Sequence, residues 1–553
     1  MLAGAASTAA LGSVRQGTIV DGGGRTPSTA LAAGPSGATA AEDNLPFRIS
    51  PDSQYVVHKA ASGLFSRRLP DGPWTQLAPP SICWDGSDEW LITDDSQTVL
   101  FTCPASTLAP KDLWAVPIAG PASAAVLLSV APDDPAGVNN FFSATSGSRV
   151  FYTMARLEPD RHDLFSVPVV GPASEGVVIN GALGEFGSAS GPAPLQLSPR
   201  VVYSQWHASA QGGEIWLTDR AASNPVPIGI SPPSHPFGGE FQVAPDEQTV
   251  VWRAGNANFH FWIYSAPVSD PPGAAIQLNP DLPAASDARV QAISPDSARV
   301  VYRANPVDPA RYDLFSVPIG GPSSSAVNLS ASVQNWDPIV VVPQFSPDSA
   351  WVLYLASRQD PNRHELYRVP AAGPASANLR LNPIEGTSLR VYGFELVPGT
   401  TDVVFHLVTG ESPDEMFRCH RGSWLESEGN ATPLWTEPLR NGVVGLDCHW
   451  MVESQGVLAT AIDPVSLLRK VWLAHGDGPL DPRPKRLLDV SQFEPGGDPF
   501  LDPWRIQTTP DGKYVVYLAT PLDGEEGVWV LPLPFFWDGF ESAGTGHWSA
   551  IQN

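Results

Sequence analysis

The sequence predicts an all-β chain: a β-propeller of four-stranded antiparallel blades, with about ten repeat units in one large ring or two fused rings. Three observations lead there. A Ser/Thr-Pro-Asp turn, or a degenerate copy of it, recurs about every fifty-one residues from Pro51 to Pro510. Each turn is followed by a run rich in Val and aromatic residues, as a pleated strand requires. The 58 prolines and 49 glycines, about a fifth of 553 residues, demand many turns and therefore short strands rather than long helices.

The elements follow in chain order. Residues 1–44, rich in Gly, Ala, Ser and Thr, read as a flexible leader. Its start, "MLAGAASTAALGSVRQ", lacks the basic first residues and the stronger apolar run of a secretory signal. Within it "GTIV" at Gly17 is a candidate strand to close the last unit. The repeats occupy 45–534. Clear anchors are "SPDSQYVVHKA" at Ser50, "TDDSQTVLFTC" at Thr93, "APDEQTVVWRA" at Ala244, "SPDSARVVYRA" at Ser294, "SPDSAWVLYLA" at Ser346 and "TPDGKYVVYLA" at Thr509. Degenerate copies start at Ser143, Leu197, Pro398 and Val452. Pro sets φ for the first central turn position and Asp bonds back to nearby amides. A second cassette follows in "DLWAVPIAGPAS" at Asp112, "DLFSVPVVGPAS" at Asp163, "DLFSVPIGGPSS" at Asp313 and "ELYRVPAAGPAS" at Glu365. Here a Leu-aromatic strand ends at Pro, turns through Gly-Pro and resumes in a short run. Each unit thus holds four strands. A lone four-stranded unit cannot cover its apolar faces, whereas units stacked in a circle can. Sandwiches also have many strands but do not repeat one turn sequence so regularly.

These anchors resemble the WD40-like repeats of TolB-like propellers, whose blades carry a Ser-Pro-Asp-Gly turn before a Val/Ile-aromatic strand; "TPDGKYVVYLA" is nearest to that pattern. The resemblance covers nearly the whole chain and implies the fold without a function. Related propellers precede the hydrolase domain of prolyl-oligopeptidase-like peptidases. This chain has no Gly-x-Ser-x-Gly elbow, and no hydrolase domain is expected after the last repeat. The ending 535–553, "WDGFESAGTGHWSAIQN" from Trp537, looks like the Asp-Gly-Phe-Glu-Ser…Trp-Ser tail of many exported Gram-negative proteins. Asp538, Gly539, Phe540, Glu541, Ser542, Trp548 and Ser549 carry that likeness, which implies a sorting signal; a terminal strand or frayed end is the alternative.

A net charge of −25 repels phosphate backbones, so no nucleic-acid partner is expected. No stretch is long and apolar enough for a transmembrane segment. Cys83 with Cys103 and Cys419 with Cys448 suit two short-range disulfides in an oxidising compartment, with reduced pairs as the alternative. His420 and His449 adjoin two of these cysteines, but the spacing matches no zinc finger or ribbon, and no metal is expected.

The loops joining the second and third strands of a unit emerge on the face opposite the Asp and Gly-Pro turns. Those loops read "LEPDRHDLF", "VDPARYDLF" and "QDPNRHELY", placing Arg161 with His162, Arg311 with Tyr312, and Arg363 with His364 in equivalent positions. Arginine forks bind carboxylates at two points, so this set is the candidate ligand-binding group for an acidic or carboxylate-bearing ligand. Acidic residues beside each arginine allow the other reading, an internal ion pair that stiffens the hairpin. The aromatics of "VVWRAGNANFHFWIY" are either a carbohydrate platform or packing between units. No HExxH, Walker loop, dinucleotide fingerprint or EF-hand loop occurs; no catalytic residue and no cofactor is expected. The expectation is an exported, non-enzymatic propeller, periplasmic or extracellular, that binds a protein or peptide partner. The alternative is a carbohydrate-active propeller enzyme, glycosidase or lyase, whose acidic residues come from distant blades.

Overall fold

The computed structural model describes residues 17–18 and 29–30, most of 47–439, and from 447 to 532 the strands and the turn at 509–511; 105–110, 331–340, 358–363 and 533–553 are among the residues outside that description. Ten units follow one another: 47–78, 90–127, 138–178, 188–230, 237–277, 288–328, 341–380, 389–439, 447–488 and 493–532. Seven of them are separate four-stranded sheets whose strands pair antiparallel in chain order. Unit 6 is an example, with Ala288–Ile293, Arg299–Ala304, Asp313–Pro318 and Val327–Asn328. Units 3 and 4 join into one eight-stranded sheet through a single parallel pairing of His162 with Ser188. In unit 10, Ile506–Thr508, Tyr514–Pro521 and Gly527–Pro532 form a meander, and Phe493–Glu494 pairs with Thr520 and Pro521.

The core lies between units rather than inside any one of them. Val300 and Tyr302 pack with Val251 and Ile263 of unit 5, while Val301 packs with Val352 and Tyr354 of unit 7. Alternate side chains of one strand thus enter two different interfaces. The second strands are therefore buried on both faces, which is why "RVVYRA" is a continuous apolar run instead of a one-sided alternation.

The Ser-Pro-Asp turn is a joint. Ser294 Oγ donates to Asp296 Oδ1 at 2.6 Å and accepts the Arg299 N–H at 2.9 Å, so one hydroxyl closes the turn at both ends. That hydroxyl also holds the Asp296 carboxyl below its ordinary range. Two residues after the proline, or after Asp94 in unit 2, the chain takes positive φ at Ser53, Ser96, Glu247, Ser297 and Ser349. This left-handed backbone is costly outside glycine, and the sequence has Gly512 at the matching place in unit 10. The turn aims the serine hydroxyl at the preceding unit. Asp52 N–H donates to Ser96 Oγ at 3.0 Å, Asp246 N–H to Ser297 Oγ at 2.9 Å and Asp296 N–H to Ser349 Oγ at 3.0 Å. In unit 4, whose turn has lost its aspartate, Glu247 accepts the N–H groups of Gln196 and Leu197 instead.

The same bond closes the series. Asp511 N–H of unit 10 donates to Ser53 Oγ of unit 1 at 2.9 Å, and Val516, Val528 and Val530 share a buried cluster with Phe47, Val56 and Leu69. Unit 10 therefore stands to unit 1 as unit 1 stands to unit 2, which brings the first and last units together as a ring requires. Gly17–Thr18, the candidate closing strand, pairs with Thr29–Ala30, and Thr29–Ala30 lies beside Gly527–Pro532, the last strand of unit 10.

The Gly-Pro turns seat each unit on the one before. Gly321 has φ +66°, and a Cβ there would lie 2.7 Å from Ile276 Cγ2 on the outer strand of unit 5. Gly120, Gly171 and Gly373 repeat this against Thr75, Val126 and Val327.

Candidate functional site

Hydrogen bonds put the two kinds of turn at one end of the units: Ile319 N–H of the Gly-Pro side donates to Ala298 O beside the Asp turn, as Ile118 does to Gln97 O and Val268 to Gln248 O. The loops between second and third strands, and the starts of the innermost strands, lie at the other end.

There His162 is half-buried; its N–H donates to Gly187 O, and it pairs with Ser188 of the next unit. The His364 carbonyl accepts the Val391 N–H of unit 8 in the same fashion. This position grips the neighbouring inner strand through its backbone. Arg161 Nη2 lies 3.2 Å from Asp163 Oδ1, the hairpin ion pair that the sequence allowed. Asp163 is 1% exposed and also accepts Asn180 Nδ2 at 2.9 Å. Buried acids at the matching places are tied the same way: Asp313 accepts Asn328 Nδ2 at 3.1 Å, and Glu365 accepts Arg380 Nη1 at 2.9 Å. A buried carboxylate needs such partners. Tyr312 lies with its ring 4.9 Å from the Arg303 guanidinium. Arg311 and Arg363 lie outside the described residues.

The charged group that the structure does assemble was not singled out from the sequence. Glu240 on the inner strand of unit 5 accepts Arg289 Nη2 at 2.8 Å from unit 6, and lies 3.6 Å from Arg253 Nη1. Arg253 Nη2 in turn lies 2.8 Å from Asp287 Oδ1. The Asp287 N–H donates to Asn305 Oδ1 at 2.5 Å, fixing that carboxylate's backbone. The Arg253 guanidinium carbon lies over the Phe261 ring, 3.5 Å from its centroid. Two arginines and two carboxylates thus alternate across the mouth between units 5 and 6. Arg289 and Glu240 remain about half exposed, so the network faces solvent. Alignment of the repeats shows Arg253 and Arg303 at one position after "VVW" and "VVY"; Glu240 and Asp287 carry no such signal.

Trp252, Trp262 and Tyr264 are buried in the core between units 4 and 5, and Trp252 stacks on Tyr264 at 5.7 Å. These rings are packing, not a carbohydrate platform; Phe259 lies outside the described residues. Tyr392 on the inner strand of unit 8 is exposed and stacks on His406 with a 4° interplanar angle.

In the same unit His420 is fully buried against Phe405, with neither ring nitrogen hydrogen-bonded. Burial, with the nearby Arg418 charge, drives its pKa down to about 3. Cys103 and Cys419 are buried, and among the described residues there is no free cysteine. Cys83 and the Cys448 side chain lie outside the description. No helix among the described residues is long and apolar enough to cross a membrane.

No protein family and no curated protein matches the chain. Among solved structures it is similar to a putative TolB from Agrobacterium tumefaciens, at 18% identity over 47% of this chain and 84% of that one, with a TM-score of 0.26. It is also similar to a eukaryotic initiation factor, at 10% identity over 77% and 96% of the two chains, with a TM-score of 0.43. A third is prolyl oligopeptidase B from Galerina marginata, at 11% identity over 70% and 54%, with a TM-score of 0.35. These likenesses are distant; the propeller architecture rests on the sheet order and the bonds between units.

Proposed function

We propose that the chain is an exported, non-enzymatic propeller that binds a protein or peptide partner across the mouth where the loops between second and third strands emerge. The observation that carries this reading is the half-exposed Glu240–Arg289 pair backed by Arg253 and Asp287. Interleaved charges of both signs on a rigid sheet edge suit a polar, sequence-selective contact. They suit a glycosidase less well. Arg253 stands between the two carboxylates, where such an enzyme would hold the scissile bond. Export accords with pairing of Cys83 with Cys103 and Cys419 with Cys448, and with a sorting role for 535–553.

The test is capture from periplasmic and culture fractions on immobilised full-length chain, set beside a glycan array. A charge swap, Glu240→Arg with Arg289→Glu, keeps an ion pair but inverts its display. Capture of a protein that the swap weakens supports the reading. Equal capture by the swapped chain, or glycan binding with turnover and no protein captured, overturns it.

A further inference from the structure

Among the described residues, six other than glycine take the left-handed backbone. Five are the turn residues Ser53, Ser96, Glu247, Ser297 and Ser349, whose side chains bond the neighbouring unit. The sixth is Phe186, at φ +58°. A bulky side chain makes that conformation costly, because its Cβ crowds the following carbonyl. In the five turn residues a bond between units offsets the cost. The Phe186 side chain is 61% exposed, so its ring returns little to the fold by burial.

The chain on either side of Phe186 is held. Gly181 N–H donates to Tyr203 Oη at 3.1 Å, Gln205 Nε2 donates to Ala182 O at 3.3 Å, and Leu183 is buried. Beyond it, Gly187 O accepts the His162 N–H at 3.0 Å, and Ser188 pairs with His162. These bonds tie 181–183 to unit 4 and 187–188 to unit 3. They fix an exposed aromatic ring at the mouth, on the seam between those two units. The second strand of unit 4 ends beside that seam at His207, with Glu214 Oε2 3.8 Å from its Nε2, and the inner strand of unit 5 follows with Glu240.

Backbone strain that the fold does not need gathers at ligand sites. Aromatic rings are the side chains that most often anchor protein interfaces, and an apolar partner suits their faces better than water does. The charges along the same mouth, Glu214 and then the Glu240–Arg289 pair, call for charged residues next to that apolar one.

We propose that Phe186 is the apolar anchor of the mouth: it packs against one apolar side chain of a bound peptide, whose flanking residues are charged and run towards Glu214 and the Glu240–Arg289 pair. This rests on the peptide-binding reading above and assigns that partner's chemistry.

Selection from a phage-displayed library of random dodecapeptides on the immobilised full-length chain tests it, with Phe186→Gly and Phe186→Ala as variants. Both remove the ring, but only glycine takes the left-handed backbone without cost. Phe186→Gly should therefore unfold at a higher temperature than Phe186→Ala, and no lower than wild type. The wild-type chain should enrich peptides with an apolar residue beside charged ones, and these should bind both variants at least about tenfold more weakly. Arg200→Gln, at the opposite end of the second strand of unit 4, should leave their binding unchanged. A Phe186→Gly chain that unfolds below both others shows the ring holding the fold, and overturns the anchor. Enriched peptides that lack an apolar residue, or that bind both variants within about twofold of wild type, overturn it too and leave the peptide reading standing. A dimer in solution that Phe186→Ala dissociates makes a second copy of the chain the occupant and also overturns it. If no peptide is enriched the anchor falls, and the capture experiment above decides the peptide reading by itself.

Discussion

Ser53→Ala tests the closed ring at a single atom. The Ser53 hydroxyl is buried and accepts the Asp511 N–H at 2.9 Å, across 458 residues of sequence. Alanine keeps the backbone but leaves that donor unpaired, which costs about 1–3 kcal/mol for a buried group. Asp511 is partly exposed, and water can reach the freed N–H, so the expected loss is near the lower bound, about 1 kcal/mol. Ser96→Ala is the internal control, because it removes the same bond, 3.0 Å from Asp52 N, between two units adjacent in sequence. Hydrogen exchange by mass spectrometry reads both. In Ser53→Ala the amides of 509–514 should exchange about five- to tenfold faster, as those of 50–55 should in Ser96→Ala. Faster exchange at 50–55 in the control, with 509–514 unchanged in Ser53→Ala, would refute the single ring.

Two further outcomes follow from the packing. Gly321→Ala should destabilise by about 1–3 kcal/mol in urea unfolding, since its Cβ meets Ile276 at 2.7 Å in a left-handed backbone, while Gly320→Ala, with open space around it, should be neutral or slightly stabilising. His420 is neutral in the fold, with a pKa near 3 against 6.5 when free, so its contribution is whole above pH 6.5 and is lost as pH falls towards 3. Acid unfolding should therefore steepen by about 1 kcal/mol per pH unit in that window, and His420→Phe should remove that share of the slope. An unchanged acid limb in His420→Phe counts against the burial argument.

Much of the fold was legible because its signals are local. The Ser/Thr-Pro-Asp turn needs one hydroxyl, one ring-locked φ and one carboxylate at fixed offsets, and Ser50, Thr93, Ser294, Ser346 and Thr509 each make the same bond to an aspartate two residues on. The Gly-Pro cassette is local in the same sense. Even the hairpin pair of Arg161 with Asp163 could be read from a spacing of two residues.

What sequence alone determined, then, is the unit: four strands and two turns. Tertiary structure decided how the units meet. That Asp511 finds Ser53 and that Arg289 reaches Glu240 of the unit before it depend on which side chains neighbouring units bring together. Spacing within a repeat records bonds inside a unit. Contacts across an interface join residues some fifty or more than four hundred positions apart, and they exist only once both faces of every sheet are buried.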